Sequence, residues 1–106
     1  MAEWEREIFI DVEPGLRIRY CRSESPPPVR YAITLELLVD NAWTTIRLWD
    51  NADAVDEHHE HEYTRIEGKQ PPARWPRRSV NEAMAAAITK ARTDWTAIVR
   101  RWRGEE

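Results

Sequence analysis

The sequence predicts an α+β protein: an antiparallel sheet of about four strands, with one long helix at about 79–103 lying across one face. Three observations predict it. Apolar residues alternate with period two through Val29–Val39. The period then changes to about 3.6 after Ser79. Between these segments lie Pro- and Gly-bearing breaks that suit turns rather than crossover helices.

Each element has a local cause. Pro14-Gly15 is a turn signal. Leu16, Ile18 and Tyr20 alternate with Arg17, Arg19 and Cys21, the pattern of a half-buried strand. Pro26-Pro27-Pro28 donates no backbone hydrogen bonds and favours an extended linker. In the next strand Tyr31, Ile33, Leu35, Leu37 and Val39 share one face. Asp40-Asn41 makes a tight turn into Trp43–Trp49, so the two form a hairpin. On the second strand, strict alternation places Trp43, Thr45, Arg47 and Trp49 together, opposite Thr44, Ile46 and Leu48. Residues 50–57, DNADAVDE, read as an acidic loop, and residues 59–66 as a fourth strand. Pro71, Pro72 and Pro76 mark a second linker, and residues 4–12 carry no decisive period.

The helix carries the most signals. Ser79-Val80-Asn81-Glu82 matches a capping box. Val80, Met84, Ala87, Ile88, Ala91, Trp95, Ile98, Val99 and Trp102 form one stripe. Arg100, Arg101 and Arg103 suit the last turn, and Gly104 the stop.

The chain has 106 residues, room for a single domain with one core, and six tryptophans to help fill it. One cysteine, Cys21, excludes an internal disulfide framework and points to a reducing compartment. No stretch approaches the ~18 apolar residues of a membrane span. A cytoplasmic protein that does not cross a membrane is expected. Residues 1–64 carry 6 Lys/Arg against 14 Asp/Glu, a net of −8, whereas residues 65–103 carry 10 against 3, a net of +7. The basic third is a candidate anion-binding surface, or it neutralises the acidic part across the fold. Trp75, in PPARWPRRS, either stacks on a base or closes the core beneath the linker.

All three histidines fall in EHHEH, residues 57–61. If this segment is extended, His59, His61, Tyr63 and Arg65 point one way, and Glu60, Glu62 and Thr64 the other. His58 would face with Glu60. Three readings stand. Two imidazoles toward neutral pH suit acid/base work at a phosphodiester, with His59 and His61 moving protons and Asp50 orienting a ring. Arg47, on the adjacent strand, would then stabilise the charged transition state, and Arg65, Lys69, Arg74, Arg77 and Arg78 would hold phosphate. Such chemistry needs no cofactor. Alternatively His58, His59 and His61, with nearby carboxylates, hold a divalent transition metal such as zinc or nickel. The third reading is a polar strand without chemistry, whose charges keep a sheet edge from aggregating.

Arg47-Leu48-Trp49-Asp50-Asn51-Ala52, followed by His58-His59-Glu60-His61, resembles the TumE-like family of small bacterial toxin-antitoxin proteins. The resemblance implies a cytoplasmic toxin component encoded beside a helix-turn-helix antitoxin. It carries over to Arg47, Asp50, Asn51, His58, His59 and His61, with Asn51 shaping a turn. Ribonuclease action fits these residue types. The acidic loop lacks the proline expected there, and the N-terminal third has no counterpart. Candidate partners are therefore an antitoxin protein, RNA and a second copy of the chain. A non-enzymatic protein-binding module is the alternative from another class.

Overall fold

The computed structural model describes residues 4–54, 57–76 and 79–105. It is an α+β fold with one antiparallel sheet and one C-terminal helix, as the two periods require. The strands are β1 (Arg6–Glu13), β2 (Leu16–Ser23), β3 (Arg30–Val39), β4 (Ala42–Ala54), β5 (Glu57–Thr64), β6 (Gly68–Lys69) and β7 (Ala73–Trp75). The first five follow one another in chain order across the sheet, and β6 and β7 both pair with β5. Helix α1 spans Val80–Arg103.

The sheet therefore has seven strands where about four are expected from sequence. The additional pairing comes from three places. Ile8, Ile10 and Val12 alternate with charged or aromatic residues, and β2 offers β1 an open edge. The short β6 and β7 flank Pro71 and Pro72, which lie between them outside the ladder, and each pairs with β5. Residues 50–54 are strand rather than loop, because β4 continues to Ala54. Pairing to Ala32 and His59 on either side gives Asp50 a ladder that its weak strand propensity does not predict.

The β3–β4 hairpin turns at Asp40 and Asn41, with φ of 49° and 66°. Both sit in the left-handed region that a two-residue hairpin needs, and Asp and Asn tolerate it best after Gly. Beyond it, β4 breaks the alternation. The register shifts between Leu35 and Glu36, so Ile46 is an extra residue opposite β3. A bulge of this kind points two consecutive side chains the same way. Ile46 and Arg47 thus both face the helix, followed by Trp49. The four-residue face Trp43, Thr45, Arg47, Trp49 expected from alternation is split. Trp43 and Thr45 lie on the opposite side.

The core lies between the sheet and α1. Ile18, Ile33, Leu35, Tyr31, Ile46 and Trp49 meet Ala83, Met84, Ala87, Ala91, Ile98, Val99 and Trp102. The small alanines let the helix approach the sheet closely. Trp75 packs here on Trp49, with ring centroids 6.4 Å apart, so it closes the core beneath the linker. The capping box forms as expected: Ser79 Oγ accepts from Glu82 N–H, and Ser79 N–H donates to the Glu82 carboxylate, both at 3.1 Å. Gly104, at φ 82°, ends the helix. Among the described residues no helix is long and apolar enough to cross a membrane.

Trp49 is fully buried and Ile66 is 89% exposed. Trp49→Ala is expected to lower the unfolding free energy by about 3–5 kcal/mol, and Ile66→Ala by less than about 0.5 kcal/mol. Denaturant unfolding of the two variants checks this; equal losses would contradict the packing described.

Candidate functional site

β5 carries two chemistries on its two sides. His58, Glu60 and Glu62 face the helix side, and His59 and His61 face the other, because successive strand residues alternate. Among the described residues α1 is the one helix, and every strand lies in the sheet system. No helix among the described residues packs on the side that bears His59 and His61, here called the open side, yet its residues are not freely exposed: His61, Leu48, Asp50 and Thr34 are buried there, and His59 is half-buried.

On the helix side the charges are locked. Arg47 Nη1 donates to Glu60 Oε2 at 2.7 Å, and Lys90 Nζ, from α1, donates to Glu60 Oε1 at 3.0 Å. Burial alone would push the Glu60 carboxyl up. Hydrogen bonds and charge from Lys90 and Arg47 reverse this and hold it below the usual glutamate range. Arg101 Nε donates to Glu62 Oε2 at 2.8 Å at the rim. His58 is buried, with Nδ1 2.8 Å from the Tyr31 hydroxyl. Asn51 accepts from Tyr31 N–H and donates to the Val29 carbonyl, both at 3.0 Å. It staples the start of β3 rather than shaping a turn.

On the open side the register builds rows across the strands. One row runs Phe9, Arg19, Thr34, Leu48, His61. Its neighbour runs Glu7, Cys21, Ala32, Asp50, His59, Arg74. His61 Nδ1 lies 3.1 Å from the Gln70 carbonyl oxygen. A carbonyl only accepts, so Nδ1 carries a hydrogen directed at Gln70. His59 lies between Asp50 and Arg74 in register, and its Nε2 is 3.9 Å from Glu57 Oε2. The Nδ1 of His59 and the hydroxyl of Thr34 are buried without a hydrogen-bond partner. Burial, then the charge of Asp50, pushes the Tyr63 phenol up. Burial pushes the Cys21 thiol up despite Arg19, so the thiolate is disfavoured.

The predicted site divides accordingly. His59, His61 and Asp50 share the open side, and exposed Arg74 flanks them. Arg47 does not join them: the bulge turns it into the helix side, where Glu60 holds it. His58 faces away from the other two histidines, so the three imidazoles do not converge. Among the described residues no group of three or more His, Cys, Asp or Glu is arranged to hold a metal ion. Lys69 is exposed on β6 opposite Tyr63. Arg65 is exposed, and its N–H donates to the Trp102 carbonyl at 3.0 Å. Arg77 and Arg78 lie outside the described residues. Tyr63 shares the side of His59 and His61 as alternation expects, whereas Thr34 joins them unexpectedly, since only the register shows which strands stand next to the histidines.

No protein-family model, curated protein or solved structure matches the chain.

Removing the Glu60 charge leaves buried Arg47 with only the more distant Glu62 carboxylate, 4.0 Å away. Glu60→Gln is expected to cost about 3–5 kcal/mol at neutral pH. The sign of the pH effect follows from the lowered carboxyl. Its contribution is complete above the ordinary glutamate value of about 4.3 and disappears as pH falls through the lower folded-state value. Thermal unfolding against pH should show the wild-type advantage constant from neutral to about pH 5.5 and shrinking below about pH 4. An advantage that grows on acidification would contradict the assignment.

Proposed function

We propose that this chain is a small toxin-like protein that cleaves RNA, with the open side of β5 as its working surface. The observation that carries the reading is the fixed orientation of His61, whose Nδ1–H is tied to Gln70, so that the neutral ring would offer Nε2 as a base on the same side as His59. Two residues along a strand separate the rings by about 7 Å of backbone. That spacing suits a base at one oxygen of a phosphodiester and an acid at the other.

In this reading His61 Nε2 takes the proton from a ribose 2′-hydroxyl. The freed oxygen attacks the adjacent phosphorus, and the bond to the 5′-oxygen breaks. Protonated His59 gives its proton to that leaving oxygen, producing a 2′,3′-cyclic phosphate and a 5′-hydroxyl end. Asp50 and Glu57 face His59 with acceptor oxygens, and Arg74 and Lys69 offer charge for phosphate at the sheet edge. No metal takes part in the scheme. The likeness of residues 47–61 to TumE-like proteins supports the toxin class, a cytoplasmic site of action and control by an antitoxin. Arg47 then serves the fold and not the phosphate.

A binding role has its own support. β1 is an eight-residue edge strand, and Ile8 and Phe9 on it are 40% and 47% exposed. Such an edge accepts a partner's strand, whether from an antitoxin or a second copy.

A short single-stranded oligoribonucleotide tests the enzymatic reading. His61→Ala and His59→Ala should each reduce cleavage by roughly 100-fold or more with thermal unfolding unchanged. A deoxyribose at the scissile position should abolish cleavage. Cleavage of that deoxy substrate, or an unaffected His61→Ala variant, sinks the mechanism.

A further inference from the structure

β1 forms one edge of the sheet. Every second residue of an antiparallel strand turns its N–H and C=O away from its neighbour. Among the described residues no strand, loop or side chain bonds those outward groups on Arg6–Glu13. The opposite edge is guarded: β6 and β7 are two and three residues long, and Pro71, Pro72 and Pro76 flank them. Along β1, Arg6–Asp11 pairs regularly with β2 and contains neither proline nor lysine, and the bulge at Val12 comes only after it.

The two faces of this edge differ in chemistry. On the helix side stand Ile8, and then Ile10 and Val12 at the margin of the core. α1 lies mainly over β3, β4 and β5, which leaves Ile8 in the open. On the other side stand Glu7, Phe9 and Asp11. Arg19 Nε donates to Glu7 at 2.6 Å, and the Arg17 guanidinium lies 4.1 Å from the Phe9 ring centroid. Asp11 is opposite Arg17 in register, but Arg17 Nε donates to Glu36 at 2.8 Å. Among the described residues Asp11 and Glu13 are exposed and form no ion pair. β2 shows the pattern that β1 accepts: Ile18 and Tyr20 stand opposite Ile10 and Ile8, and Arg17 and Arg19 opposite Asp11 and Phe9. A second β1 does not supply that pattern. In a two-fold antiparallel pair, residues on the same side meet. Asp11 then falls opposite Glu7 of the copy if the axis passes Phe9, and opposite Glu5 if it passes Ile8. Like charges so placed are destabilising.

We infer that the outer edge of β1 docks an extended segment of another protein in which arginine or lysine alternates with apolar residues. Its backbone continues the ladder beside Arg6–Asp11. Its basic side chains meet Glu7, Asp11 and the exposed part of the Phe9 ring. Its apolar side chains extend the face begun by Ile8 and Ile10. The inference rests on the binding role of β1 given above, to which it adds the partner's chemistry, and it is independent of the ribonuclease reading.

Three fluorescein-labelled peptides of equal length test this by anisotropy. In the first, arginine alternates with isoleucine and valine. The second has glutamate in place of arginine, and the third has the composition of the first with its arginines grouped at one end. The first should bind at least about tenfold tighter than the other two, and should slow amide exchange in residues 6–11. Asp11→Lys with Glu13→Lys should weaken it about tenfold and improve binding of the glutamate peptide. Asp11→Asn with Glu13→Gln should weaken it less, and the unfolding midpoint of each variant verifies the fold. Equal binding of the grouped peptide overturns strand docking. Equal binding of the glutamate peptide overturns the basic partner while the binding role of β1 stands. If neither alternating peptide binds, both fall. A dimer of the free chain with residues 6–11 protected assigns the edge to a second copy and overturns the inference.

Discussion

The buried cluster of Arg47, Glu60 and Lys90 is the interaction on which the rest of the structure depends. It joins β4, β5 and α1 at one point. Glu60 is 9% exposed, and a carboxylate so placed must be paired or give up its charge. Because strand side chains alternate, fixing Glu60 toward the helix also fixes His59 and His61 away from it. A slip of one residue would press both imidazoles against the helix and push three acidic or polar groups outward. The cluster therefore sets the register of β5 as much as it stabilises the sheet.

The bulge at Ile46 is the companion of that cluster. Without the extra residue, Arg47 would point with Thr45 and could not reach Glu60. The same shift brings Trp49 into the core, where it is fully buried beneath Trp75. One irregularity thus supplies both the counter-charge and the largest core side chain. It also leaves Leu48 and Asp50 on the open side, next to His61 and His59. The polar row that results is held from behind by an ion-paired layer, which suits a surface that must present side chains at fixed spacing.

Much of this was legible from residue order. The change of period at Ser79, the capping box and the alanine-rich stripe describe α1 almost to the residue. Asp40-Asn41 marks the hairpin, and alternation puts Ile18, Ile33 and Leu35 inside. The two-sided character of β5 also follows from period two alone. What alternation could not show is the bulge, because a single extra residue leaves no mark in composition. That one shift removes Arg47 from the candidate site. The acidic stretch after Trp49 misleads for a related reason: cross-strand pairing outweighs the poor strand propensity of Asp50 and Asn51. The rows that place Thr34 and Phe9 in line with His61 depend on register, which no local pattern encodes.

The central claim is that the two sides of β5 are separated as described, with His59 and His61 on the open side and His58 within. Isotope-edited nuclear Overhauser spectra of the histidine rings test it most directly. The account predicts contacts from the His61 ring to the Leu48 methyls, a protonated Nδ1 on His61, and contacts from the His58 ring to Tyr31 and Trp75. Contacts from His59 or His61 to the Ala87 or Ala91 methyls of the helix, or a His61 ring without a proton on Nδ1, would contradict it.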